Sequence, residues 1–300
     1  MKKFSMYILC LLLMVYALDR SGGLMMRYIY NHSNSTINVK LRQTINGTNC
    51  DLVLLGSSTC HHHYVTTLIE DSLSLCAYNA GVRGGSNIYF NYALVKLMMR
   101  NNSLKFIVYD LIPGDFVQES NSYDKLIPLS PYYGISESLD SLFDEAQLGW
   151  KYDVSHLYRY NGKFTTSVAG IFLPLDTTGK GYQPKFGILY NVKPKIKEKT
   201  SCMVDNNKIL YLQKLEHFCN EKGIMLVFAV SPTFHYWPAN EYSEIKKFAK
   251  KNNIKFIDYS NNSIFVGKNN LFYDEMHLND EGAHIYSSMI AHDLKSIITQ

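Results

Sequence analysis

Five short apolar runs alternate with amphipathic stretches along most of this chain, and that rhythm limits its fold more than any other feature. The first run, Asp51-Leu52-Val53-Leu54-Leu55, ends in Gly56-Ser57-Ser58. Val65, Leu68, Ile69 and Leu73 then recur at helical spacing. A second run at 75–78 ends in Asn79-Ala80-Gly81, and residues 88–99 read as a helix with Tyr89, Tyr92, Ala93 and Leu97 along one side. A third run covers 105–109. The pattern returns after residue 205. A helix over 206–219 stops at Gly223, a C-terminal glycine, and 224–230 is a continuous apolar strand of the fully buried kind. Pro238 opens a helix to about residue 250, 254–257 is a last short strand, and Tyr286, Met289, Ile290, Leu294 and Ile297 line one face of a terminal helix begun at Asn279 or Asp280. Alternation of this kind predicts an α/β fold, a parallel sheet with crossover helices on both faces.

Residues 115–200 break the rhythm. They are rich in Tyr, Ser, Gly and Pro and read as a long insertion with helix near 136–143 and 154–164. An insertion after the third strand lies beside the carboxyl edge of the sheet, where ligands bind in such folds.

The N-terminus carries a targeting signal. Lys2 and Lys3 precede an apolar run over residues 4–18, closed by Asp19 and Arg20. Positive residues before an apolar run retain that end and send the downstream chain across a membrane. The run is short of the roughly 20 residues of a full span, as in a signal peptide, yet no small-x-small cleavage site comes after it. Leu24, Met25 and Met26 extend it past the charged break. An uncleaved anchor over residues 1–30 is the favoured expectation. A cleaved signal and a buried helix of a cytosolic protein are the alternatives. Residues 31–49, polar and rich in Asn, Ser and Thr, read as a linker to a domain over 50–300.

Composition excludes little but helps. A net charge of +4 with no concentrated basic block argues against nucleic acid as a partner. The 23 tyrosines suit either carbohydrate stacking or core filling. Cys10 lies in the apolar run, and Cys50, Cys60, Cys76, Cys202 and Cys219 form an odd set with no CxxC pair, so no disulfide pairing is proposed.

Three pieces could carry chemistry. Ser58 follows the first strand on a tight turn that Gly56 permits. There it can be an exposed nucleophile awaiting a base, or simply a helix cap. In Tyr273-Asp274-Glu275-Met276-His277 an aspartate precedes a histidine by three residues. The carboxylate can fix the imidazole tautomer and stabilise the imidazolium; the bland reading is a capping Asp with an incidental His. Asn79-Ala80-Gly81-Val82-Arg83-Gly84-Gly85 follows the second strand, and its glycines let a backbone N–H point into a cleft as an oxyanion donor must. An ordinary turn has the same composition. GxGxxG and GxxxxGK[ST] are absent, which disfavours a dinucleotide or phosphate site. His61, His62 and His63 are consecutive and point in different directions, so no metal site is expected from them, although one could line the cleft. Cys60 reads as a buried thiol rather than a nucleophile. Ser231, with Pro232 and Thr233, ends the fourth strand at the same edge and either lines a pocket or only closes the strand. Arg83 is either a ligand for a substrate anion or a solvated arginine.

Taken together, these pieces resemble the SGNH (GDSL-like) hydrolase superfamily. Leu54-Leu55-Gly56-Ser57-Ser58 is similar to its first block, with Ser58 at the nucleophile position. Tyr78-Asn79-Ala80-Gly81-Val82-Arg83-Gly84 is similar to its second, which places an oxyanion glycine at Gly84. Asp274 and His277 match its final Asp-x-x-His. The resemblance covers about residues 50–115 and 205–298. It implies a three-layer α/β/α sandwich with a flavodoxin-like parallel sheet of about five strands. It also implies a catalytic set of Ser58, Asp274 and His277, with oxyanion or substrate contacts at Gly84, Arg83 and Ser231 and no cofactor. One departure stands out: the third block supplies an oxyanion asparagine, whereas this chain has Tyr109-Asp110-Leu111-Ile112-Pro113-Gly114-Asp115. Branches that lack the asparagine include membrane-anchored, exported proteins of polysaccharide O-acetylation and of teichoic-acid D-alanyl transfer. The implied function is ester hydrolysis or acyl transfer on an acylated cell-surface glycan or a small ester. The membrane, through the N-terminal segment, and a membrane acyltransferase are the implied partners. The alternatives are a catalytically weak or inactive glycan-binding or scaffold member, and a flavodoxin-like module binding flavin.

Overall fold

The computed structural model describes residues 2–298 except Thr48, Gly85, 176–178 and 201–202. The expectations that touched Gly85 and Cys202 therefore lie outside the described residues. The elements run α1 (Lys2–His32), α2 (Thr36–Asn46), β1 (Leu52–Gly56), α3 (Ser58–His63), α4 (Thr66–Leu73), β2 (Ala77–Asn79), α5 (Ile88–Met98) and β3 (Phe106–Asp110). A 3₁₀ stretch at Ser122–Tyr132 leads to α6 (Glu137–Glu145), α7 (Gly149–Val154), a 3₁₀ turn at Leu157–Tyr160 and α8 (Phe164–Ile171). The chain closes with α9 (Asn206–Glu221), β4 (Met225–Val230), α10 (Ser243–Lys251), β5 (Lys255–Asp258), a 3₁₀ turn at Asn269–Leu271 and α11 (Asp280–Ile298). Two compact units result, residues 1–43 with 126–176, and residues 44–125 with 177–300.

The second unit is an α/β fold. Its five strands pair all-parallel in the order β2-β1-β3-β4-β5, the flavodoxin-like order of a doubly wound sheet. Strand alternation sorts the core into two faces. Leu52, Leu54, Val108, Val227 and Ala229 pack with Ile69 of α4 and with Tyr286, Ile290 and Leu294 of α11. On the other face Tyr109 meets Phe228 edge-on, and Phe228 stacks on Phe248 of α10. Tyr211 of α9 lies edge-on to Tyr89 and Tyr92 of α5. Every residue of β1 is buried. Caps fall where polar residues precede apolar runs: Asn87 accepts from Phe90 N, Asp205 from Asn207 N and Lys208 N, and Asn279 from Gly282 N. Gly223, at φ +65°, ends α9 as expected.

The first unit is helical. Within residues 31–49, expected as a linker, Thr36–Asn46 instead forms α2, which buries the polar Asn38, Lys40 and Thr44 together with Val39, Leu41 and Ile45. The helix expected over 154–164 is not formed. Instead α7 stops at Val154, a separate 3₁₀ turn comes next, and α8 starts at Phe164. The break is made by Asp19 of α1. Its carboxylate accepts from Ser155 Oγ and from the N–H groups of His156 and Leu157, capping a new turn where a continuous helix would have had none. The tyrosines of this segment mostly fill a core, with Tyr132, Tyr133, Tyr152 and Tyr160 all buried. Helix α10 begins at Ser243 rather than Pro238, because Trp237 N bonds Asn261 and Glu241 N closes a turn on the Pro238 carbonyl.

Candidate active site

β1 leaves the sheet through Gly56, whose φ of +152° an L side chain rarely adopts. A Cβ there would sit 2.7 Å from Cys60 Cβ and 2.9 Å from the Asp110 carbonyl oxygen. The turn puts Ser58, half-buried, at the first position of α3. Gly81 makes a second close approach. A Cβ on it would lie 2.6 Å from the backbone nitrogen of His61 and 2.7 Å from Cys60 Cβ, so only glycine lets the segment after β2 press on α3. Asn79 stitches the same junction. Its Nδ2 donates to the carbonyls of Cys60 and Tyr64, and its Oδ1 accepts from Gly81 N.

From the far end of the chain, the loop before α11 brings His277 to this serine. Ser58 Oγ and His277 Nε2 are 2.8 Å apart, although 219 residues separate them in sequence. His277 Nδ1 is 2.9 Å from each oxygen of Asp274. Burial alone would raise the Asp274 pKa, but the His277 ring and the N–H groups of Met276 and His277 outweigh it and hold the carboxyl below its ordinary value. An ionised carboxylate only accepts, so His277 carries its proton on Nδ1 and offers Nε2 to the serine hydroxyl. Three sequence-predicted residues are thus within hydrogen-bond reach of one another, in the order base chemistry requires.

The three consecutive histidines are structural. His61 Nε2 lies 3.0 Å from Gln183 Oε1, and His62 Nδ1 donates to the Gln183 carbonyl at 2.7 Å. His63, fully buried, accepts the N–H of Leu278 on Nε2 at 2.9 Å and so pins the residue after His277. Burial pushes the His62 pKa down to about 4, with Lys185, His277 and Arg83 adding to the depression; burial also holds His63 well below its usual value. His62 is therefore a neutral ring lying edge-on to His277 at 5.4 Å. No group of three or more His, Cys, Asp or Glu side chains suited to a metal occurs among the described residues.

The other expected site residues divide. Arg83 and Gly84 lie on the exposed tip of the loop after β2, where Gly84 has φ +83°. Arg83 is close enough to act on His62 electrostatically. The Gly84 carbonyl accepts from Lys125 Nζ at 3.1 Å. Ser231 is committed to Asp110, donating through Oγ at 2.6 Å and through its backbone N–H at 3.0 Å. It also lines a cavity of about 450 Å³ together with Thr59, Ile112, Trp237 and Met276, so it both closes the strand and faces a pocket. The walls of that pocket include the residue after Ser58 and the residue before His277. His235 Nε2 and Glu275 Oε2, 2.6 Å apart, stand on its rim.

Asp110 is the residue that sequence reasoning undervalued. It stands at the end of β3, where the resemblance called for an asparagine. Besides Ser231 it accepts from Thr59 Oγ1 at 2.6 Å and from Tyr64 Oη at 2.7 Å. Burial raises its pKa to about 6 against the pull of these donors. The signal was present: a charged residue ends an otherwise apolar buried strand, and such a charge persists only with dedicated partners. The returning arm of the insertion was also missed. Gln183 and Lys185 come back to the site, and Lys180 pairs with Glu70 at 2.6 Å.

Comparison with protein-family models and with curated proteins gives no match to this chain. Fold and site by themselves define a doubly wound α/β protein with a Ser–His–Asp constellation at the carboxyl ends of its strands.

Proposed function

We propose that this chain is a serine-dependent ester hydrolase or O-acyltransferase of SGNH type, working on an acylated cell-surface carbohydrate or a related small ester. The observation that carries the reading is the continuous relay from Ser58 Oγ through His277 to Asp274, with contacts of 2.8 and 2.9 Å. Ser58 attacks the ester carbonyl while His277 takes its proton. Asp274 holds the ring and stabilises the imidazolium. The N–H groups of Ser58 and Gly84 receive the oxyanion. His277 then protonates the departing alcohol, leaving the acyl group on Ser58. Water completes hydrolysis, whereas a sugar hydroxyl completes transfer.

The long apolar helix at the N-terminus supports membrane attachment. Residues 4–18 are exposed along its length, as in an anchor and unlike the buried helix of a cytosolic protein. We read it as a signal anchor that holds the α/β unit outside the cytoplasmic membrane, within reach of a membrane acyltransferase.

A second reading has its own observation. Asp110 accepts hydrogen bonds on both carboxylate oxygens, so it does not replace the donor that an asparagine would give to an oxyanion. A weak or inactive member that binds glycan or scaffolds a membrane acyltransferase fits that deficit. The experiment is turnover of an activated acetyl ester by the full chain in detergent, with Ser58→Ala as control, alongside fluorophosphonate labelling. Ser58-dependent turnover and labelling support the enzyme. Equal inertness of both proteins, with no label on Ser58, overturns it in favour of the scaffold.

A further inference from the structure

Helix α7 is inverted for a surface helix. Tyr152 faces the core, while Trp150 and Val154, one turn apart on the opposite side, are 61% and 68% exposed. Leu157, at the start of the next turn, is 44% exposed. Three large apolar side chains exposed within eight residues call for a covering.

Their level along α1 identifies the cover. Asp19 bonds Ser155, His156 and Leu157, and Arg20 donates to the carbonyl of Asp153. Gly22 and Gly23 leave room for this contact: a Cβ on Gly22 would already touch the Leu157 side chain at 3.5 Å, and one on Gly23 would collide with His156 Cβ at 2.7 Å. The shoulder formed by α7 and the 3₁₀ turn after it is therefore fixed to α1 at residues 19–23, where the exposed apolar run of residues 4–18 stops. Those fifteen residues rise about 22 Å, against a hydrocarbon core of about 30 Å. The missing length, roughly five residues, falls on the stretch from Asp19 to Gly23. There the Asp19 and Arg20 side chains are already hydrogen-bonded, and after the exposed Ser21 the next exposed large apolar residues are Leu24 and Met25. Arg27 comes one turn later. An apolar groove of about 400 Å³ lined by Met26, Leu157, Tyr158 and Phe164 continues from the shoulder.

We propose that Trp150, Val154 and Leu157 form a foothold in the lipid bilayer, buried at the interface beside α1, so that this helical unit is partly seated in the membrane rather than tethered above it. The proposal rests on the anchor reading of α1. Tryptophan suits this depth, since its ring prefers the headgroup boundary, and the Lys151 ammonium, 5.8 Å from the Trp150 ring centre, can reach the phosphates. The far end of the same unit supplies an internal control. Phe172 is 84% exposed, but the neighbouring Gly170 and Leu173 carbonyls accept from Asn34, beyond the end of α1. That places Phe172 roughly 20 Å further from the bilayer than Trp150 along the helix axis.

The chain has two tryptophans, so Trp237→Phe leaves Trp150 as the only one. In full-length protein reconstituted into phosphatidylcholine vesicles, Trp150 emission is expected to be quenched severalfold by lipids brominated near the carbonyl end and little by aqueous iodide. A chain carrying Phe172→Trp, Trp150→Phe and Trp237→Phe should show the reverse. Equal iodide access at both positions overturns the foothold, and so does protection of Trp150 from both quenchers, which would mean a protein partner or a second copy covers it. Flotation of the full chain with the vesicles tests the anchor separately: a chain that floats but leaves Trp150 in water keeps its anchor and loses the foothold. The unmodified chain gives a readout that needs no folded variant. A photoactivatable phospholipid should cross-link within residues 149–158 and not within 171–175; the converse pattern overturns the proposal.

Discussion

Asp274 shows how a single carboxylate is kept ready for its task. Its oxygens collect the His277 ring N–H and two backbone N–H groups, and these outweigh the cost of burial. Asp274→Asn keeps the shape but offers a donor to His277 Nδ1, favouring the wrong tautomer. Turnover should fall about 10³- to 10⁴-fold with little change in KM, as read from steady-state kinetics on an activated ester. His62 gives a pH-dependent test. Its folded pKa of about 4 lies below the ordinary value of 6.5, so between these pH values the unfolded chain binds more protons. The stability contributed by neutral His62 is thus present above pH 6.5 and lost as pH falls toward 4. Asp110 and Asp115, raised to about 6 and about 7 by burial, act with the opposite sign and damp the slope of the whole protein. The His62 contribution is therefore read as a difference. His62→Gln should be less stable than wild type at pH 7.5, and its Tm deficit should shrink by about a few degrees at pH 5; a deficit that grows in acid contradicts the assignment. Ser58, Asp274 and His277 were legible because each has a short-range signal, a glycine turn or an Asp-x-x-His. The Asp110 hub was not, since its partners Tyr64, Thr59 and Ser231 lie 46, 51 and 121 residues away.

At the scale of elements, α3 is the piece on which the site depends. It is six residues long, too short to stand alone, and is held by Gly81, Asn79, the Gln183 segment and α11. Gly81→Ala places a methyl group against the backbone of His61, which a side-chain rotation cannot relieve. Both Tm and fluorophosphonate labelling should drop, the labelling rate by about tenfold or more as α3 shifts. Leu54→Ala, in the middle of fully buried β1, should cost about 3 kcal/mol in denaturant unfolding, with no direct effect on the triad. Strands β1 to β4 could be read because buried parallel strands are nearly continuous apolar runs, and the partly exposed β5 through the short run Ile254, Phe256 and Ile257; each observed strand starts within two residues of the expected one. Helix ends in the first unit could not. The division of 149–171 into α7, a 3₁₀ turn and α8 is imposed by Asp19, more than 130 residues away, and a local pattern holds no trace of such a cap.

The molecule as a whole joins a helical unit, which begins with the exposed apolar helix, to an α/β unit that carries the serine. Alkaline carbonate extraction should leave the full chain in the membrane pellet, whereas replacing Leu11, Leu12 and Leu13 by Asp, Asn and Asp should release it. Retention of that variant would move the attachment elsewhere. The 219-residue separation between Ser58 and His277 has a consequence in time. The serine is made 219 residues before the histidine that stands beside it in the fold. A chain that stops short of residue 277, through stalled synthesis or proteolysis, carries an unactivated alcohol. On the proposed reading of an exported enzyme, the serine would stay silent until residue 277 had emerged and folded back onto it.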